Sequence, residues 1–185
     1  MAPSPSRGTG RLPGLPIQRA GRGQRKCCAL PGRFVKLRAM LPELGPVDPE
    51  TTALPEGTVR IWTPRANLVL TQVSGRVVLA QAERIIAAVD AAIRAAPGQV
   101  VIVHDLFDVQ SYEINVHPRL SAWSVATFRS VRRVVIGVRS PLVSLAVRTI
   151  NLAVGGRFEV VEAREALLAA ARRELAVPSM RAVGR

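Results

Sequence analysis

The sequence predicts a single α/β domain over residues 55–177, with element order ββαβαβαβα and a mostly parallel sheet with flanking helices. Three observations carry this. Short, continuous apolar runs occur at 99–103 (QVVIV) and 133–138 (RVVIGV), as expected of strands buried on both faces of a parallel sheet. The longer segments between and after them repeat apolar residues at helical spacing. Those segments begin or end on Pro or Gly, which separates the elements. Parallel neighbours need crossovers, and right-handed crossovers lay the helices against the sheet.

Residues 58–63 (TVRIWT) and 67–73 (NLVLTQV) are β-rich and are split by Pro64, Arg65 and Ala66, so they form a hairpin. A helix over 77–96 repeats Leu79, Ala82, Ile86, Val89 and Ile93 until Pro97-Gly98 stops it. The strand at 99–103 follows, then a polar segment at 104–117 expected to be a loop. Pro118 suits the first turn of a helix running to about 130. Its inner side carries Leu120, Ser124, Thr127 and Phe128, followed by Val131, with Trp123 at the edge. After the strand at 133–138, Ser140-Pro141 starts a helix, with the hydroxyl as N-cap and the proline at the first position. That helix ends at Gly155-Gly156. Residues 157–161 (RFEVV) make the last strand, and 163–175 the last helix, with Leu167, Leu168, Ala171 and Leu175 facing in. The runs at 100–103 and 134–138 are expected side by side as parallel strands.

The chain has 185 residues and a net charge of +13, of which residues 1–50 hold nine of the 26 cations and three of the 13 acids. Residues 1–45 form an Arg/Pro/Gly-rich leader without periodicity, expected to be disordered. The leader has several readings: an inert tail, a nucleic-acid-binding arm, or a stretch that is not translated because synthesis starts at Met40. An organellar targeting segment shares its composition. Residues 178–185 are a short flexible tail. Only Lys26 and Lys36 are Lys and the other 24 cations are Arg, a bias compatible with phosphate contact and equally with a GC-rich coding sequence. Cys27 and Cys28 are neighbours and the only cysteines, so no disulfide framework exists, as in a reducing cytoplasm. No secretory apolar run is visible, and the most apolar stretch, 141–154, is too short to span a membrane and contains Arg148.

Residues 55–177 hold no Lys and no Cys, which removes Schiff-base and thiolate catalysis from the domain. Phosphate-cradling and dinucleotide glycine motifs, H-E-x-x-H and the nucleophile elbow are absent too. The segment 104–117 (HDLFDVQSYEINVH) contains both histidines, His104 and His117, and the sole tyrosine, Tyr112. Asp105, Asp108, Ser111 and Glu113 add polar groups at the carboxyl end of a strand, where open α/β sheets place their sites. Three uses are open. His104, Asp105, Asp108 and His117 would ligate the metal of a hydrolase. His104 and Asp105 would cap a strand end, with His117 leading into a helix. Or the whole segment would face a partner or ligand. Ser140, beside Arg139, would hold an anion at a helix start or serve as a cap only. The helix at 142–154 is apolar nearly all round, broken by Ser144, Arg148, Thr149 and Asn151, which suits a helix in contact with another chain.

The runs VVIVHDLFDVQSYE (100–113), PRLSAW (118–123), RRVVIGVRSPLVSLAV (132–147) and FEVVEAREALLAA (158–171) resemble the SpoIIAA-like/STAS superfamily, the fold of anti-sigma-factor antagonists. The resemblance covers about 58–175. It implies a non-catalytic module that binds a protein partner or a second copy, needs no cofactor or metal, and resides in the cytoplasm. In that superfamily a Ser at the start of the helix after the third strand is sometimes a phosphorylation switch. Ser111 is its nearest positional match, although Gln110 and Tyr112 replace the usual flanking Asp and Gly. The reading is therefore a STAS-like regulatory interaction module. A metal-dependent hydrolase on 104–117 and a nucleic-acid binder acting through the basic leader are the alternatives.

Overall fold

The computed structural model describes residues 48–177. The leader at 1–45 and the tail at 178–185 lie outside the described residues. Three strands open the domain as an antiparallel meander: β1 (Glu50–Leu54), β2 (Gly57–Arg65) and β3 (Leu68–Val77). From β3 onward the sheet is parallel, through β4 (Val100–Tyr112), β5 (Val131–Gly137) and β6 (Phe158–Val161). The spatial order of the strands is their chain order. The crossovers are α1 (Leu79–Ala95), α2 (Val116–Thr127, continued by a 3-10 turn at Phe128–Ser130) and α3 (Pro141–Ala153), and α4 (Arg164–Ala176) follows β6.

This order decides where the helices sit. Each crossover steps the same way along the sheet, so crossovers of one hand put α1, α2 and α3 on one face. α4 folds back onto the other. The core is accordingly divided: Ile102, Val134 and Ile136 pack with α1 and α3, whereas Val101, Val103 and Val135 pack with Leu167, Leu168, Ala170 and Ala171 of α4. Adjacent valines of one strand enter different halves because side chains alternate across a sheet. The expected pairing of the runs at 100–103 and 134–138 is present, with Ile102 opposite Val134 and Val103 opposite Val135.

Four details differ from the sequence reading. Strand β1 was not expected, and regular structure starts at Glu50. ETTAL buries almost nothing, and its pairing with β2 holds it. The segment 104–117 is mostly strand, not loop: β4 continues to Tyr112 because β3 is ten residues long and offers Ser74–Val77 as further partners. The hairpin turn is Ala66-Asn67, while Pro64 and Arg65 belong to β2 at an irregularity in its register. In α1 the inward face includes Gln81, Ile85 and Ala92, with Leu79 and Ile93 only half-buried. The amide of Gln81 is satisfied in the interior, donating to Gly57 O at 2.9 Å and accepting from Val78 N at 3.1 Å.

Two glycines are dictated by space. Gly75 has φ 82, and a Cβ there would lie 2.4 Å from Glu56 O. At Gly137 a Cβ would lie 2.4 Å from the Phe107 ring and 2.8 Å from Leu167, so the bare backbone lets β4 and α4 close over β5.

Candidate functional site

The polar residues of β4 separate onto opposite faces. His104 faces α1, α2 and α3, in the same layer as Ile102 and Ile136. Its Nδ1 lies 2.6 Å from Thr71 Oγ1 on the neighbouring strand. Burial lowers its pKa from 6.5 to about 4, so the imidazole is neutral at physiological pH.

Asp105 points the other way, beneath α4. Its Oδ1 accepts from Phe107 N at 3.2 Å and lies 3.7 Å from the Arg164 guanidinium. Arg164 donates more directly to Asp108, at 2.9 Å, and stacks over Phe107 at 5.1 Å from the ring centroid. Gln72 Nε2 reaches Asp105 Oδ2 at 3.4 Å, and Arg60 donates to Gln72 Oε1 at 3.2 Å. Desolvation raises the Asp105 pKa, and the charge of Arg164 pulls it back down.

The remaining residues have structural partners. Ser111 pairs with Arg76 inside the sheet, and α2 starts only at Val116, so Ser111 is not on a helix N-terminus. Tyr112 pairs with Val77 and leans on the α1–α3 core. Glu113 accepts from Leu79 N at 2.7 Å and thereby closes the start of α1. His117 lies in the first turn of α2, where its carbonyl accepts from Ser121. Ser140 occupies the N-cap of α3, but its hydroxyl makes no capping bond, contrary to expectation; its carbonyl instead accepts from Ser144 N at 2.9 Å. Arg148 is exposed, 3.5 Å from Glu162.

The four residues of the hydrolase alternative therefore do not meet. Consecutive positions on a strand send His104 and Asp105 to different sides, Asp108 is bound by Arg164, and His117 lies on a helix. Among the described residues, no three His, Cys, Asp or Glu side chains gather as metal ligands. Sequence reasoning missed Thr71, Gln72 and Arg164. The first two interrupt the apolar run LVLTQV, which was the available signal. Arg164 opens α4, and nothing in the sequence tied it to Asp108.

Two apolar features are open to a ligand or partner. On the outer side of α3, Leu142, Leu145 and Leu152 are 52%, 66% and 81% exposed. Beneath α1, α2 and α3 lie two adjoining apolar cavities of about 110 and 90 Å³, which share Ile85, Leu106, Leu120, Val147 and Ile150 as walls.

No protein-family model matches the sequence, and no curated protein matches it. Among solved structures, the chain is similar to an uncharacterised DUF3478-family protein from Shewanella loihica, described as having a SpoIIAA-like fold. Identity is 15% and the TM-score 0.50, over 64% of this chain and 98% of that one. The chain has a SpoIIAA-like fold. The hairpin of β2 and β3, the three crossovers and the returning helix of this SpoIIAA-like domain agree with the expected architecture, and β1 adds to it. No helix among the described residues is long and apolar enough to cross a membrane.

Proposed function

We propose that this SpoIIAA-like domain is a non-catalytic, cytoplasmic protein-interaction module with a regulatory role, and that its contact surface is the outer face of α3. The supporting observation is the exposure of Leu142, Leu145 and Leu152 on a helix whose opposite side, Val143, Val147 and Ile150, is already buried in the core. Exposing three leucines on one helix leaves apolar surface in water, and covering it with another chain recovers that cost. Ser140 and Arg148 flank the leucines and supply a polar rim. The β4 residues have internal partners and are not needed for contact.

The test is light scattering on the purified chain together with recovery of bound proteins, repeated for Leu145→Asp and Leu152→Asp. Both positions are exposed, so the variants fold. Loss of self-association or of a specific partner supports the proposal. A monomer with no partner, unchanged by either substitution, rejects it.

A further inference from the structure

We propose that the double cavity beneath α2 is a binding site for a small, neutral aromatic molecule carrying one hydrogen-bond acceptor. α2 stands off from the sheet. Of its twelve residues only Val116 and Ser124 are buried, although Leu120, Trp123 and Thr127 all face the space below. Polar ties to α1 hold the helix from its outer side: Arg119 binds Glu83 at 2.6 and 3.0 Å, and Trp123 Nε1 donates to Asp90 at 2.9 Å. The helix is thus propped rather than packed, and the gap persists beneath it.

The gap has the dimensions and chemistry of a ligand site. The two cavities measure about 110 and 90 Å³ and share Leu106 and Leu120 in their walls, side chains whose rotation the proposal requires to join them. Together they exceed the ~150 Å³ that suffices for an apolar protein cavity to take up benzene. The walls are aliphatic and aromatic, and an extended chain or a charged group has no place among them. His104 and Ser124 are the main polar exceptions. Thr71 Oγ1 lies on Nδ1 and has no other acceptor among the described residues, so the tautomer that satisfies the hydroxyl has the threonine donating and the imidazole proton on Nε2. Neither Nε2 nor Ser124 Oγ has a hydrogen-bond partner among the described residues, so two donors await one acceptor. The imidazole of His104 lines the larger cavity.

Acetophenone and ethylbenzene are matched probes, alike in shape and differing in a carbonyl, and benzoate is the charged control. They are titrated into the full chain and followed by amide chemical shifts. The expected result is binding of acetophenone at least tenfold tighter than ethylbenzene, with shifts on both sides of the cavity, and no binding of benzoate. His104→Leu should reduce the ratio while ethylbenzene still binds, and adding Ser124→Ala should bring it near one. Leu120→Trp should block both probes, and Ile85→Phe provides a second filling variant should Leu120→Trp not fold. Failure of both neutral probes to bind, shifts confined elsewhere, or an unaltered ratio in His104→Leu overturns the proposal.

Discussion

Lowering the pH should weaken this domain through His104, by an amount the structure sets. In the unfolded chain the imidazole titrates at its ordinary 6.5, and in the fold burial holds it at about 4. Between those values the unfolded state binds a proton that the folded state refuses. The stabilisation is therefore complete above 6.5 and is lost as pH falls toward 4. At 1.36 kcal/mol for each tenfold difference in proton affinity, the loss between pH 7 and pH 4 comes to about 3 kcal/mol. Carboxylates titrate in part of the same range. Asp105 acts in the opposite sense, because its raised pKa makes the folded state take up a proton first and favours folding as pH falls. Comparison with His104→Leu cancels these contributions. The variant leaves the Thr71 hydroxyl unpaired, a cost that does not change with pH. Urea unfolding of both proteins at half-unit steps from pH 7.5 to pH 4 gives the difference curve. That curve should be flat above pH 7 and fall by about 3 kcal/mol at pH 4. A flat difference throughout would show that His104 is hydrated in the fold, and the description of its surroundings would be wrong.

Arg164→Ala leaves Asp105, 2% exposed, without its nearest cation, and should cost about 3 kcal/mol at pH 7 by urea unfolding. The cost should shrink on acidification, since a protonated Asp105 no longer needs the guanidinium. Gly137→Ala drives a methyl into Phe107 and Leu167 and should cost about 1–3 kcal/mol; combined with Leu167→Ala the two losses should sum to less than their separate values. Glu113→Ala removes the acceptor for Leu79 N and should cost about 1 kcal/mol, with faster hydrogen exchange confined to the first turn of α1.

The runs at 100–103 and 134–137 were legible in the sequence because they are valine-rich and buried on both sides, so composition and position agreed. The short strand Glu50–Leu54 escaped because ETTAL has no apolar period and depends on β2 for its place. The polar half of β4 escaped for a related reason. HDLFDVQSY looks like a loop when strand is recognised by apolar content, yet the length of β3 extends it as strand, with register slips near Ser74 and Arg76. A register slip there breaks strict alternation, and with it the period on which sequence reading relies. His104 and Asp105 were singled out by their polarity, but their division between two faces follows from a strand that was not recognised. The cavity was invisible beforehand: Leu120, Ser124, Thr127 and Phe128 were read as an inner face, and only the stand-off of α2 turns that face into a wall. The exposed side of α3 was foreshadowed by its nearly unbroken apolar sequence.

A sheet whose strands lie in the order of synthesis has a consequence for biogenesis. Every new strand meets a neighbour already made, so no strand waits for a later one before it can pair, which suits folding on the ribosome. The helices do not share that convenience. Three arrive between strands and shelter one side as it grows, while Trp62, Leu70, Val101 and Val135 wait for the last element, α4. Until it emerges, the nascent domain carries a sticky flank, and a holdase that recognises that flank would have its best opportunity then.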